Sequence, residues 1–523
     1  MQMNFPNIKE RIYSMRKITI LSLALALASS FASCSKDDDA VKDDNSSKNQ
    51  PEQTAATLDE QINDSVYKYL SSMYLWNDEY RNQKLDFTKG YEDFFYDGLM
   101  SMTTNTLDNR KYTDVDGKTY HHLFSYIEKL PDISSSTRAT EIDKEKTYNF
   151  GITGLLPVGS ANSEDIYFFI QGIYPDSPAE KAGLRRGMAI KEVNGQTVTT
   201  KNYEDLFYQL VTPSSPSTFT LSAGDYATEQ FRTASIASEA MYCNPIIYHK
   251  VTTEDETPNH RVGYLVYAGF DAGFDEELFS VFKEFKQAGI TDLIIDLRYN
   301  GGGHTTSANL ISTCIAGDQA KDKVFMSLRY NEERMRRLNG KREDEYFYYD
   351  KDANLGTSLA PGILNMSHVY VLTGSGTASA SELVINALRG IDVQVTLIGE
   401  RTTGKNVGME YDDKKIKDGT YRIVPITFQS YNAKGESDYE GGFEPDIEVD
   451  ENDPASYGGW TYDYYDYGTM KDPLYARAIC DITGMPIPDY FTRRTRAITA
   501  KSTVLKAPKT LRTNSYGMLR RAK

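Results

Sequence analysis

The sequence predicts a multidomain protein with an N-terminal helical region, a β-rich domain carrying two helices, and an α/β core with strand–helix crossovers. Three observations predict it. Apolar residues recur at helical spacing after residue 58, short apolar runs punctuated by Gly, Pro and Asn follow residue 147, and beyond residue 261 buried-strand patterns alternate with amphipathic helices. A chain of 523 residues is expected to hold more than one domain, and 40 % hydrophobic residues are enough to fill their cores. The net charge of −16 argues against a nucleic-acid partner, because phosphate binding needs a basic surface.

Residues 1–34 read as a secretory signal. Met15-Arg16-Lys17 precede the apolar run 18–28, and Phe31-Ala32-Ser33-Cys34 close it. Such a run is too short to span a bilayer stably. A cysteine in that place resembles a lipobox, which implies lipidation at Cys34. Residues 35–57 are polar and aperiodic, a tether. The Lys36-Asp37-Asp38 phrase beside Cys34 looks like the export signal of some Gram-negative surface lipoproteins. An outer-membrane lipoprotein is therefore expected, facing the periplasm or, by preference, the cell surface. Cys243, Cys314 and Cys480 are too widely spaced for a disulfide framework or a metal cluster; the activity expected below calls for no metal or cofactor.

Residues 58–133 read as a helical domain. Ile62, Val66, Leu70 and Met73 form one stripe, and helical pattern continues to about Leu130. His121-His122 has no partner at metal spacing and receives no role. Residues 134–146 read as a linker. The segment 147–233 contains the apolar run 166–173, the phrase Ser177-Pro178 able to start a short helix, Gly183 able to end it, and the tight turn Asn194-Gly195. A helix near residues 203–211 and a strand near 218–222 follow. "SPAEKAGLRRG…VNG" in this order of elements resembles a PDZ domain, although Met188-Ala189 follows Gly187 where the family often has Asp. The resemblance implies capture of an extended C-terminal peptide, with Phe150, Gly151, Ile152, Thr153 and Gly154 as the loop that binds its carboxylate.

Residues 234–490 read as the α/β core. Strands are expected at 262–268, 292–297, 369–373 and 395–398. Helices are expected at 276–288, capped by Asp275 and stopped by Gly289, and at 380–388. The charged stretch 329–351 reads as an insertion, and the basic tail 491–523 as solvated. In parallel strands joined by helices, the strand carboxyl ends share one edge of the sheet. That edge collects Asn300-Gly301-Gly302-Gly303, the small-residue run "GSGTASAS" ending at Ser381 with Ser379 inside it, and a loop carrying Lys405. Small residues let backbone turn sharply and leave room for a chain. A serine at a helix start faces backbone N–H groups and a positive dipole end. Ser379 and Glu382 also make S-x-x-E, a capping box that need do no more than begin a helix. Both readings can hold if Ser381 or Thr377 caps while Ser379 reacts.

"DLRYNGGG", "TASASELVINALRG" and "LIGERTTGK", in that order, resemble the hallmarks of the C-terminal processing proteases, the S41-type serine peptidases. "FEPDIEVDEN" matches a later family phrase. The resemblance implies a ClpP/crotonase-like core preceded by the PDZ domain, with Ser379 as nucleophile and Lys405 as its general base. The N–H groups of Gly302 and Ala380 would form the oxyanion hole, with Glu382 and Asp392 supporting. Lysine acts as a base only as a free amine, so burial must lower its pKa and Glu400 must point elsewhere. Thr377, Gly301 and Thr403 depart from the usual family residues without removing a reactive group. A Ser–His pair using His304 is the rival mechanism. The expected activity is endoproteolysis of extended polypeptides near their C-termini. The alternative is a catalytically silent, peptide-binding surface lipoprotein.

Overall fold

The computed structural model describes residues 56–113, 119–130, 146–160, 163–213, 215–226, 228–349, 355–451, 465–488, 502–504 and 518–521. The signal with Cys34, nearly all of the tether, and all but the last residue of the linker expected at 134–146 lie outside the described residues.

Helix Leu58–Met73 begins at a capping box. Thr57 Oγ1 accepts the Glu60 N–H at 3.2 Å, and the Glu60 carboxylate accepts the Thr57 N–H at 2.7 Å. Ile62, Val66 and Leu70 are buried together with Phe94, Phe95 and Leu99 of helix Tyr91–Met100. Helix does not continue to Leu130 as expected. Asn109–Thr113 and Thr119–Leu123 form an antiparallel hairpin, and Tyr126–Lys129 pairs with strand Gly419–Val424. The signal there has period two: Ile127 is buried while its neighbours are not, so a helical reading had no continuous face to fill. The N-terminal helices also pack on Val407, Met409, Ile423 and Ile426, so this region shares its core with the chain's later sheet.

Residues 147–241 form a β-rich unit with its own core, in which Phe150, Phe168, Ile170, Leu206, Phe207 and Leu221 are buried. Its sheet runs Gln230–Ala237, Thr218–Asp225, Ala189–Val193, Ile166–Ile173, Ile152–Ser160, with helices Pro178–Lys181 and Tyr203–Val211. Ser177 Oγ caps the first helix by accepting the Glu180 N–H at 3.3 Å, with Pro178 at its first position. Asn194 and Gly195 sit at φ 52° and 73°, the geometry of a type I′ hairpin turn. Strand Gln230–Ala237 and the pairing of Glu239–Met241 with Thr147–Asn149 carry the unit past residue 233.

The core sheet runs Ile246–Val251, Val262–Tyr267, Asp292–Asp296, His368–Thr373, Gln394–Gly399, Ile447–Glu448; every pair is parallel except the first. Alternate strand residues face opposite layers. Leu293 and Ile295 pack against helices Asp275–Ala288, Thr305–Ala316 and Ala380–Gly390, whereas Ile294 packs against helix Pro473–Thr483. Gly289 ends its helix at φ 63° as expected. Asp275 is not the cap: a 3₁₀ turn, Ala272–Phe274, precedes the helix, and Asp271 caps that turn through the Gly273 N–H. A second, largely antiparallel sheet contains Val324–Tyr330, Glu343–Tyr346, Val407–Ile416, Gly419–Val424 and Ile426–Tyr431. Two of its strands draw on the stretch expected to be an insertion. In the tail, Ser502–Val504 adds to strand Ile152–Ser160 and Met518–Arg521 to strand Val407–Ile416. These parts differ from the solvated end expected, because unpaired sheet edges present backbone groups that recruit any available strand.

Candidate active site

The parallel order brings the three loops to one edge, and their backbones are laced together. Ala378 N–H donates to Asn300 O at 3.1 Å, and Thr403 N–H to Thr377 O at 2.9 Å. Ser381 Oγ donates to Asn300 O at 2.9 Å, and Thr377 Oγ1 to Leu297 O at 2.7 Å. The small hydroxyl residues flanking Ser379 thus spend their hydrogen bonds on tying the serine turn to the glycine loop.

Ser379 is fully buried and heads helix Ala380–Gly390 at φ 60°, ψ −107°, a conformation that costs a non-glycine residue of order 1–3 kcal/mol. The capping box with Glu382 is present at Ser379 itself, so the helix-starting reading holds there, and Ser381 and Thr377, expected as alternative caps, bond to Asn300 O and Leu297 O instead. Glu382 does more than cap. One carboxylate oxygen accepts the N–H groups of both Ser379, at 2.8 Å, and Lys405, at 2.7 Å. The other accepts Gly404 N–H at 2.5 Å and Thr402 Oγ1–H at 2.6 Å. The backbones of the expected nucleophile and base are therefore no farther apart than the sum of two hydrogen bonds through one atom. Burial pushes the Glu382 carboxyl up, and these four donors oppose the shift.

The Gly302 Cα packs directly on this turn. A Cβ there would stand 2.9 Å from both Ala380 N and Ser379 Cβ, and the residue holds φ 108°, so only glycine fits. Ala380 N–H is the first of its helix and has no intrahelical carbonyl to serve. Gly302 N–H donates to Asn300 Oδ1 at 2.9 Å, which makes the Asn300 side chain part of the glycine-loop geometry, a role that the sequence pattern did not mark.

Lys405 is buried. Its amine donates to Met409 Sδ at 3.5 Å and lies 4.3 Å from the centre of the Phe124 ring. Burial lowers its pKa from 10.5 to about 7; Asp108 and Glu382 oppose that shift and Arg110 adds to it. Glu400 does not contribute. Its carboxyl is pushed up to about 7 by burial and by Asp450 and Glu451, and it is not among the groups that shift Lys405. Asp392 is not brought to the site: it is exposed beyond the far end of the serine helix and pairs with Lys434 at 2.7 Å. Its expected supporting role came from the family likeness, and no contact here carries it. His304 precedes helix Thr305–Ala316, its N–H bound to Phe270 O at 2.7 Å.

In the β-rich unit, Phe150 and Ile152 of the expected carboxylate loop point into the core, Phe150 against Phe219. Gly151 N–H donates to Asn149 Oδ1 at 2.7 Å, and Phe150 O accepts Ala179 N–H at 2.8 Å. Thr153 and Gly154 lie on the strand that follows. Sequence reasoning missed Asp108, Arg110, Phe124 and Met409. The helix expected across residues 109–123 gave the first three no common direction, and no motif marks any of the four.

Residues 261–449 match the model of peptidase family S41, and residues 61–126 match the peptidase S41 N-terminal domain. Among curated proteins, the chloroplastic C-terminal processing peptidase of Tetradesmus obliquus is 26 % identical over 284 residues, covering 53 % of this chain and 55 % of that one. The carboxy-terminal processing protease CtpB of Bacillus subtilis is 24 % identical over 370 residues, covering 64 % and 69 %. The chain spans about half the length of the first of these relatives. A crystal structure assigned to the S41 proteases, from Bacteroides fragilis NCTC 9343, is 25 % identical with a TM-score of 0.62, covering 84 % of this chain and all of that one. With the matched segments, the laced loops and the serine and lysine drawn onto one carboxylate, residues 261–449 carry the peptidase domain of family S41 and residues 61–126 its N-terminal domain.

Proposed function

We propose that this protein is a serine endopeptidase of the C-terminal processing type, acting on extended polypeptide with Ser379 as nucleophile and Lys405 as general base. The observation that supports it most directly is the Glu382 oxygen shared by the Ser379 and Lys405 N–H groups. It ties the backbones of the two residues together, and the Lys405 amine, with a pKa of about 7, is in large part unprotonated at neutral pH.

In this reading Lys405 Nζ takes the Ser379 Oγ proton as Oγ bonds to the scissile carbonyl carbon. The negative oxygen that forms is met by the N–H groups of Ala380 and Gly302, the latter released from Asn300. The lysine ammonium then protonates the leaving amine as the C–N bond breaks, giving an acyl-enzyme. Lys405 next accepts a proton from water, whose hydroxide bonds to the acyl carbon, and Ser379 Oγ departs and regains a proton. Losing one oxyanion donor typically costs about 3–4 kcal/mol of barrier.

The β-rich unit is read as a PDZ module that recruits a substrate's C-terminal segment along strand Ile152–Ser160, and the core as ClpP/crotonase-like. Lipidation at Cys34 would place the enzyme on the outer membrane, facing the cell surface. Incubating the full chain with casein, beside Ser379→Ala and Lys405→Ala, tests the chemistry. Both substitutions are expected to abolish cleavage; turnover that survives either one removes that residue from the mechanism.

A further inference from the structure

One wall of the lysine pocket comes from neither core sheet nor serine loop. It comes from the N-terminal region. The Phe124 ring faces the Lys405 amine at 4.3 Å. Just before the hairpin stands Asp108, fully buried, with hydrogen bonds that all stay within the N-terminal region. One of its oxygens accepts the N–H groups of Phe124 and Ser125 at 2.9 and 2.8 Å; the other accepts Tyr74 Oη–H at 2.8 Å and Ser125 Oγ–H at 2.6 Å. Asp108 therefore fixes the backbone of the residue whose ring covers the amine. Two residues on, Arg110 donates from its two terminal nitrogens to Thr403 O at 2.8 Å and Gly404 O at 2.5 Å, the two residues that precede the lysine. Its guanidinium also lies over the Phe124 ring, 5.3 Å from the centre.

We infer that the segment bearing Asp108, Arg110, Phe124 and Ser125 is part of the active site, walling the Lys405 amine and clamping the loop that carries it, with Asp108 as a positioning residue for the base. The inference rests on Lys405 being the base. It gives the N-terminal region a chemical role, since without it the lysine would open to water on one side and remain charged at neutral pH.

The groups that face the amine have opposing effects. Asp108 and Glu382 favour the ammonium, as does the face of the Phe124 ring, whereas Arg110 and burial, the largest influence, favour the free amine. His122, beside Phe124, is held down to about 4 by burial and by Lys405 and Arg110, so it is neutral through the working range. Removing the Asp108 charge should lower the titration midpoint of Lys405. Opening the Phe124 wall should raise it, because burial is the largest influence on the amine and water entering there outweighs the lost ring contact.

The test uses the full chain with Ser379→Ala and ¹⁵N-labelled lysine, following the Lys405 Nζ resonance against pH. Asp108→Asn keeps the shape and is expected to move the midpoint down by about one pH unit; Phe124→Leu is expected to move it up by a similar amount. With Ser379 restored, the acid limb of casein cleavage should move in the same two directions. A purely structural role for Asp108 would lower thermal stability and leave the midpoint unmoved, which overturns the inference. Should Asp108→Asn fail to fold, Phe124→Leu decides alone: an unchanged midpoint overturns the inference. A resonance that shifts while the cleavage profile stays fixed would retain the wall and remove Lys405 as base, which separates the two readings.

Discussion

Glu382 shows how much geometry one side chain can set. An ionised carboxylate is an acceptor only, and all four of its hydrogen bonds come from groups that can only donate to it here. Glu382→Gln would turn an NH₂ toward two of those donors in a fully buried site. Leaving buried donors unpaired costs roughly 1–3 kcal/mol each. We therefore expect lower stability in urea and at least about a hundredfold loss of kcat, with a smaller change in KM, because the substitution displaces nucleophile and base together. Lys405 supplies a pH prediction. The reactive form is the free amine, so labelling of Ser379 by a fluorophosphonate should rise with pH and reach half its maximum near pH 7. The same residue lowers stability. Below pH 7 both folded and unfolded lysine are protonated, and the folded state carries the full penalty of a buried charge. Between pH 7 and 10.5 the penalty falls as pH rises, and above 10.5 it vanishes. Lys405→Met should raise Tm most at acidic pH and least in alkali while eliminating cleavage.

At the scale of elements, the glycine loop and the serine helix act as one piece. Gly302→Ala puts a methyl group 2.9 Å from Ala380 N and Ser379 Cβ, on backbone that an alanine resists adopting. Circular dichroism should change little, whereas fluorophosphonate labelling should fall by at least about tenfold; unaltered labelling would mean the loop and the serine turn move independently. These elements were legible in sequence because each has a local reason. Small residues mark the turn, Glu382 answers Ser379 at capping distance, and parallel strands between helices force the loop ends to one edge. The second sheet was not legible. Its strand Val407–Ile416 is buried over its first half and mixed beyond, and Gly419–Val424 reveals its face only when Tyr421 and Ile423 meet the N-terminal helices. The lysine pocket was hidden for the same reason: Phe124 and Asp108 lie far before Lys405 in the chain and belong to a hairpin region whose burial comes from tertiary contact alone.

Across the whole molecule, the β-rich unit is joined to the core sheet through a buried ionic cluster. Arg298, of the Asp-Leu-Arg phrase, pairs with Asp296 at 2.7 Å, Asp472 at 3.0 Å and Glu451 at 2.8 Å. Glu451 also pairs with Arg186 of the β-rich unit at 3.1 Å and accepts from Tyr299, the residue before Asn300. Arg186 in turn reaches Gln171 O within its own unit and lies over the Tyr467 ring, 4.5 Å from its centre. Burial alone would raise the Glu451 carboxyl; Arg298 and Arg186 hold it below its ordinary value. A cluster this dry adds little net stability over an apolar packing, but it penalises the loss of one member. Glu451→Ala leaves Arg186 buried without its carboxylate and should cost about 3–5 kcal/mol in urea unfolding. Arg186→Ala should cost less, because Glu451 keeps Arg298. Combining the two removes the stranded charge together with its partner, so the double variant should be more stable than the two losses added, by at least about 1.5 kcal/mol in a double-mutant cycle. Simple additivity would mean that water reaches Arg186 and that the cluster does not bind the β-rich unit to the sheet. A coupling of the expected size would place a rigid ionic joint directly beside the glycine loop, and the orientation of the β-rich unit and the setting of that loop would then share a single cluster.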